Sequence, residues 1–151
     1  MWTLKNYRPG FDPWGLGLFL LIMLPNFVWF TFPALNDILR AESVTPLIDA
    51  IAQVFQIIMT AALCAVINVT LDKPMKRGHR AGTAVCVALY FAGWAAYYAG
   101  ITNPAVILDL CLAPCGAFLL WALARRNAPA LISGAAFTVC HLVSTAINFI
   151  P

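Results

Sequence analysis

Charge is what this chain has least of. Of its 151 residues only 10% are Asp, Glu, Lys or Arg, against about 25% in soluble globular domains. Six acidic and nine basic side chains cannot cover a globular surface in water, which excludes an ordinary soluble enzyme, a disordered tail and a nucleic-acid binder. Disulfide scaffolding is lacking too. The five cysteines (Cys64, Cys86, Cys111, Cys115 and Cys140) are odd in number, lie in apolar stretches and never show CxxC spacing, whereas a framework expects an even set in polar loops. They read as small buried apolar residues. Catalytic signatures are missing as well: there is no HExxH, no GxSxG and no paired-carboxylate motif.

What is present in quantity is apolar sequence, 62% of the chain. Five runs reach the roughly 20 residues that a helix needs to cross a hydrocarbon core of about 30 Å. They cover about 14–33, 47–71, 81–101, 105–124 and 129–150. Pro46, Pro104 and Pro129 stand where helices begin, as the fixed φ of proline favours. The fold class expected is therefore all-α: a polytopic bundle of five transmembrane helices, with residues 1–151 forming one integral membrane domain. The first run follows Lys5 and Arg8 like a signal peptide. It exceeds the roughly 7–15 residues of such a core and no A-x-A site follows, so it reads as a retained helix. Just before it stands Tyr7-Arg8-Pro9-Gly10-Phe11-Asp12-Pro13-Trp14-Gly15. Here Pro9-Gly10 suggests a turn, and Asp12 before Pro13 suggests an N-cap with proline at the first helical position.

The basic residues set an orientation. With five spans, Lys5, Arg8, Lys73, Lys76, Arg77, Arg80, Arg125 and Arg126 fall on one side and Arg40 alone on the other. Lys and Arg concentrate on the cytoplasmic side. The N-terminus is thus expected inside and the C-terminus outside, in a plasma membrane of bacterial inner-membrane type. Lys73, Lys76, Arg77 and Arg80 are expected to meet anionic headgroups. Trp14 and Trp121, and on the other side Trp29, Trp94, Tyr97 and Tyr98, read as interfacial belts.

The intramembrane polar groups are distributed unevenly. At 100° per residue, Asp49, Gln53, Gln56, Thr60 and Cys64 form one stripe on the second helix. Thr138, His141, Ser144, Thr145 and Asn148 share a face of the fifth. Asp109 and Asn26, the latter beside Pro25, lie in the same outer half, and the 34–46 loop adds Asn36, Asp37, Arg40 and Glu42. Ionisable groups in hydrocarbon cost several kcal/mol, about 3 or more, unless they face a bundle interior or a water-filled cavity. The expectation is a pocket open to the outside that binds or carries a small polar molecule or ion. Asp49, Gln53, Gln56, Asp109, His141, Ser144, Asn148 and Asn26 would line it, with Arg40 and Glu42 at its mouth.

Other readings compete. The polar residues could be interhelical glue and Asp49 a helix cap. On the third helix Ala84, Ala88, Ala92, Ala96 and Gly100 recur every four residues, a small-residue stripe that suits close helix contact. It points either to central packing or to assembly into a homo-oligomer or larger membrane complex, as an accessory subunit. An intramembrane enzyme using His141 with an aspartate is the weaker alternative, and no catalytic residue is assigned. Cys111 and Cys115 with Cys140 and His141 are conceivable soft-metal ligands, but Asp109 projects away from them. No metal and no cofactor is assigned. In size and span count the chain is similar to the tryptophan-rich sensory proteins of the translocator family. The 34–46 loop contains no Trp where that family's first loop is rich in Pro and Trp, so the resemblance implies a span count and no function.

Overall fold

The computed structural model describes residues 4–70 and 75–150. Five helices carry the architecture: α1 (Pro13–Thr31), α2 (Pro46–Ala65), α3 (Arg77–Tyr98), α4 (Pro104–Ala124) and α5 (Ala128–Phe149). All five are long and apolar enough to cross a membrane. Proline stands in the first turn of α1, α2, α4 and α5, where its missing N–H has no intrahelical partner to lose. Side chains cap the exposed donors: Asp12 accepts from the N–H groups of Trp14 and Gly15, Asn103 from Val106 and Asn127 from Ala130. The α3–α4 turn closes at Gly100 (φ 87°). Its N–H donates to the Tyr97 carbonyl and that of Ile101 to Ala96, a conformation that a Cβ would strain.

α2 packs on α5, α5 on α4 and α4 on α3, while α1 lies across the open side of this row, touching α2, α3 and α4. Its buried face is Gly15, Leu18, Ile22 and Pro25, a spacing of 3, 4 and 3 that follows the helical repeat. The core is completed by Met59 and Leu63 of α2, Tyr90 and Tyr97 of α3, and Cys115 and Phe118 of α4.

The two ends of the bundle are closed differently. At the basic end, β1 (Tyr7–Pro9) pairs antiparallel with β2 (Val66–Asn68), which directly follows α2. The 47–71 span is thus corrected: α2 stops at Ala65, because the next residues leave the helix to pair with the N-terminal segment. Leu71 itself, like Lys73, lies outside the described residues. The turn expected at Pro9-Gly10 is also replaced. Gly10 instead continues the pairing with the end of α2, its N–H donating to Ala65 O at 3.0 Å. Asp12, only 3% exposed, caps α1, donates its own N–H to Cys64 O at 2.8 Å and holds Arg125 Nε at 2.8 Å. Asn127 donates to the carbonyls of Ala62 and Val66. Tyr7 OH and Asn68 Nδ2 both donate to the carbonyl of Arg126, a residue in the left-handed region (φ 48°). The Tyr7–Gly15 run is therefore a clasp that joins α1, α2 and the α4–α5 turn.

Two further expectations change. The stripe Ala84, Ala88 and Ala92 is exposed on the outside of the bundle. It is not central packing. The face that meets α4 instead carries Gly82, Cys86 and Gly93, where an added Cβ or the existing thiol would touch Leu120, Gly116 and Asp109. Nor do all the aromatics form belts. Trp94 and Tyr97 are 5% and 0% exposed and meet edge-to-face at 5.7 Å, because α3 turns that side toward α1 and α4.

Candidate functional site

At its far end from the clasp, the bundle opens into a cavity of about 860 Å³. All five helices contribute to its wall. α1 gives Asn26, Trp29 and Phe30, α2 gives Asp49, Gln53 and Gln56, α3 gives Tyr90 and Trp94, α4 gives Cys111, Cys115 and Phe118, and α5 gives Phe137, His141 and Phe149. Leu39, Glu42 and Ser43 roof it from the loop between α1 and α2. The reason for the opening lies in how α1 runs. At the basic end it lies on α2, where Gly15 brings the two backbones together. Toward the far end it leans on α3 instead, through Asn26 Nδ2 donating to Tyr90 OH at 2.6 Å and Trp29 against Trp94 at 6.3 Å. Between the diverging halves of α1 and α2 the lining residues Phe30, Ala50 and Gln53 are exposed. The cavity therefore opens through a slot between these two helices.

The loop that roofs the cavity is fastened on both sides. On the α1–α3 side its anchor is Asp37. This carboxylate accepts from Trp29 Nε1 at 2.9 Å, Tyr97 OH at 2.8 Å, Arg40 Nε at 2.8 Å and the Ala34 N–H at 3.3 Å. Burial alone would push its pKa up, but the hydrogen bonds from Trp29, Tyr97, Arg40 and Ala34 outweigh it and leave the carboxyl below its ordinary value. Arg40 also donates from Nη2 to the Trp29 carbonyl at 2.6 Å, satisfying one of the orphan carbonyls at the end of α1, and lies 4.8 Å over the Trp29 ring. On the α2–α5 side the anchors are Asp49 and Asn148. Asp49 accepts hydrogen bonds from the hydroxyls of Ser43 and Ser144. Asn148 accepts from the Val44 N–H at 2.7 Å and donates to Thr45 Oγ1 at 2.6 Å.

Of the residues singled out from sequence, Asn26, Glu42, Asp49, Gln53, Gln56 and His141 come together on the cavity wall. Ser144 and Asn148 stand beside it, holding the roof. Arg40 is turned to Asp37 and does not line the mouth. Asp109 lies elsewhere, against Gly93 of α3. It is two residues from Cys111, which lines the cavity, and two residues turn a helix by about 200°. His141 stacks on Phe137 at 5.1 Å, and among the described residues neither aspartate is hydrogen-bonded to it. No group of three potential metal ligands gathers among the described residues.

No protein family, no curated protein and no solved structure matches this chain. The geometry of the cavity is therefore the basis for reading function. Sequence reasoning missed most of its apolar lining. Tyr90, Trp94 and Tyr97 at spacings of 4 and 3 do form a helical stripe that could have marked the inner face of α3. Asp37, too, was one polar loop residue among several, with nothing local to show that it gathers donors from α1 and α3.

Proposed function

We propose that this chain is a multi-pass protein of the plasma membrane, of bacterial inner-membrane type. Its N-terminus is cytoplasmic, its C-terminus extracytoplasmic, and its cavity binds a small molecule bearing a polar group. The proposed orientation is supported by the positions of Arg8, Lys76, Arg77, Arg80, Arg125 and Arg126 on the clasp side of the bundle. Lys76, Arg77 and Arg80 are exposed there and suit anionic headgroups. The observation that carries the reading is the cavity itself. It has the size of a small-molecule site, is walled mainly by apolar and aromatic groups, and carries a few polar ones placed to orient a ligand. Binding is favoured over carriage. A carrier would have to open the clasp end, where the β1–β2 pair and the Asp12–Arg125 ion pair hold the bundle shut.

Native mass spectrometry of the protein released from nanodiscs tests this. A stoichiometric small adduct is expected on the wild type. It should be lost in Ala50→Trp, which fills the slot between α1 and α2, while the unfolding temperature stays within a few degrees. An adduct that persists in Ala50→Trp would place the ligand somewhere other than this cavity.

One observation favours a second reading, an accessory subunit. The Ala84, Ala88 and Ala92 stripe is exposed, covered by no helix among the described residues, and small residues permit close helix approach. In that case Ala92→Leu converts a discrete oligomer or complex to monomer in mass photometry, and Ala50→Trp does not. A chain that is monomeric both with and without Ala92→Leu dismisses this reading.

A further inference from the structure

The charge on the cavity wall is one-sided. Among the described residues its two charged side chains are carboxylates, Glu42 and Asp49, and no Lys or Arg lines it. The nearest cation in the loop, Arg40, is held by Asp37 and the Trp29 carbonyl. Asp49 accepts from two serine hydroxyls, which are neutral donors, and stands in the first turn of α2; no Lys or Arg among the described residues pairs with it. Glu42 is exposed and makes no hydrogen bond or ion pair among the described residues. The rest of the wall offers aromatic groups, Trp94 near the same end of the bundle and Tyr90, Phe118 and the stacked Phe137–His141 pair deeper along the helices. Aromatic faces attract organic cations, and more strongly where water is excluded. An anion would meet two carboxylates in a partly desolvated space.

We infer that the ligand of this cavity is an amphipathic organic cation, an amine or quaternary onium group on an apolar body. It enters through the slot between α1 and α2 with its charge toward Glu42 and Asp49. Two features require the apolar body. The lining is predominantly apolar, so a bare inorganic ion would leave most of the wall unfilled. The slot is also edged by Phe30 and Ala50, on helices apolar enough to lie in lipid. A molecule dissolved in the headgroup region reaches the cavity sideways, apolar part first. This inference rests on the cavity being a binding site and adds the sign of the charge and the route.

The test compares three probes of similar shape by equilibrium dialysis against protein-loaded and empty nanodiscs: tetraphenylphosphonium, tetraphenylborate and neutral triphenylphosphine oxide. Tetraphenylphosphonium is expected to bind saturably, one per chain, at least about tenfold more tightly than the other two. Asp49→Asn should weaken it about tenfold. Glu42→Gln, at an exposed position that does not threaten folding, should weaken it about threefold at low salt and less at high salt. Equal binding of all three probes, unchanged by Glu42→Gln and Asp49→Asn but abolished by Ala50→Trp, overturns the cation preference and leaves the cavity as a site. Tighter binding of tetraphenylborate overturns the charge argument in the same way. If no probe binds the protein beyond the empty nanodiscs, the binding-site reading falls as well.

Discussion

Asp37→Ala is expected to lower the stability of the detergent-solubilised protein by about 2–4 kcal/mol, since it orphans several partly buried donors at once. The carboxylate is where α1, α3 and the connecting loop meet. Removing it leaves Trp29 Nε1 and Tyr97 OH without their acceptor. It also frees Arg40, whose second contact satisfies the end of α1. The ion pair with Arg40 is partly exposed and contributes little on its own. The loss comes mainly from the Trp29 indole N–H and the Tyr97 hydroxyl, whose hydrogen bonds are partly buried. Differential scanning calorimetry or a tryptophan unfolding curve measures it, and a loss below about 0.5 kcal/mol, the range of ordinary surface changes, would refute the anchor role. The same residue sets an acid limit. Its carboxyl is held below the ordinary value by its donors. It therefore contributes stability that is complete above the unfolded pKa of about 3.9 and is lost as pH falls through the lower folded value. The wild type should lose unfolding temperature as pH falls below about 4, and Asp37→Asn should flatten that slope. Identical acid slopes in the two proteins would assign the acid sensitivity to another carboxylate.

At the other end the largest effect is expected from a pair of glycines two residues apart. A Cβ added at Gly15 would stand 2.5 Å from the Leu63 carbonyl oxygen and 3.2 Å from its carbon, both backbone atoms of α2, whereas one at Gly17 meets nothing within 4 Å. Backbone cannot yield as a flexible side chain can. Gly15→Val should therefore force α1 away from α2 and strain the neighbouring Asp12 cap and clasp, at a cost of about 3 kcal/mol. Gly17→Ala should be neutral or stabilising by up to about 1 kcal/mol, through helix propensity and a less disordered unfolded chain. Opposite signs in one unfolding assay are the expected result. Equal effects at both positions would mean that α1 does not approach α2 as closely as Gly15 implies.

These two contacts explain why the cavity is where it is. α1 is held to α2 at the clasp and to α3 at the Asp37 anchor, so its two halves lean on different partners. The gap between α1 and α2 at the far end follows from that change of partner. Pro25 lies on the buried face of α1 between the two contacts. Proline removes one backbone hydrogen bond there, which suits a helix that changes neighbours along its length.

Much was legible without coordinates. The scarcity of charge and the length of the apolar runs determined an all-helical chain with five segments able to cross a membrane. Both signals depend only on composition and on the fixed rise of the helix. The starts of α1, α2 and α4 were legible because proline acts within one turn of sequence, joined in α1 by the Asp12 cap. The polar stripes of α2 and α5 were legible because periodicity places residues on a face. What periodicity cannot give is which neighbour a face meets. The alanine stripe of α3 and its glycine, cysteine and aromatic face are both regular, and only packing decided that the second turns inward. Asp109 shares its depth with Asp49 yet sits on the side of α4 that meets Gly93, because rotation about the helix axis is set by the neighbouring helices. The early end of α2 was equally hidden. Val66 to Asn68 continue an apolar run, and what ends the helix is pairing with Tyr7 to Pro9, almost sixty residues away in the chain. Local sequence governs interactions within a turn or a face. The cavity, the clasp and the Asp37 anchor are made between distant segments, so they were decided by the tertiary structure alone.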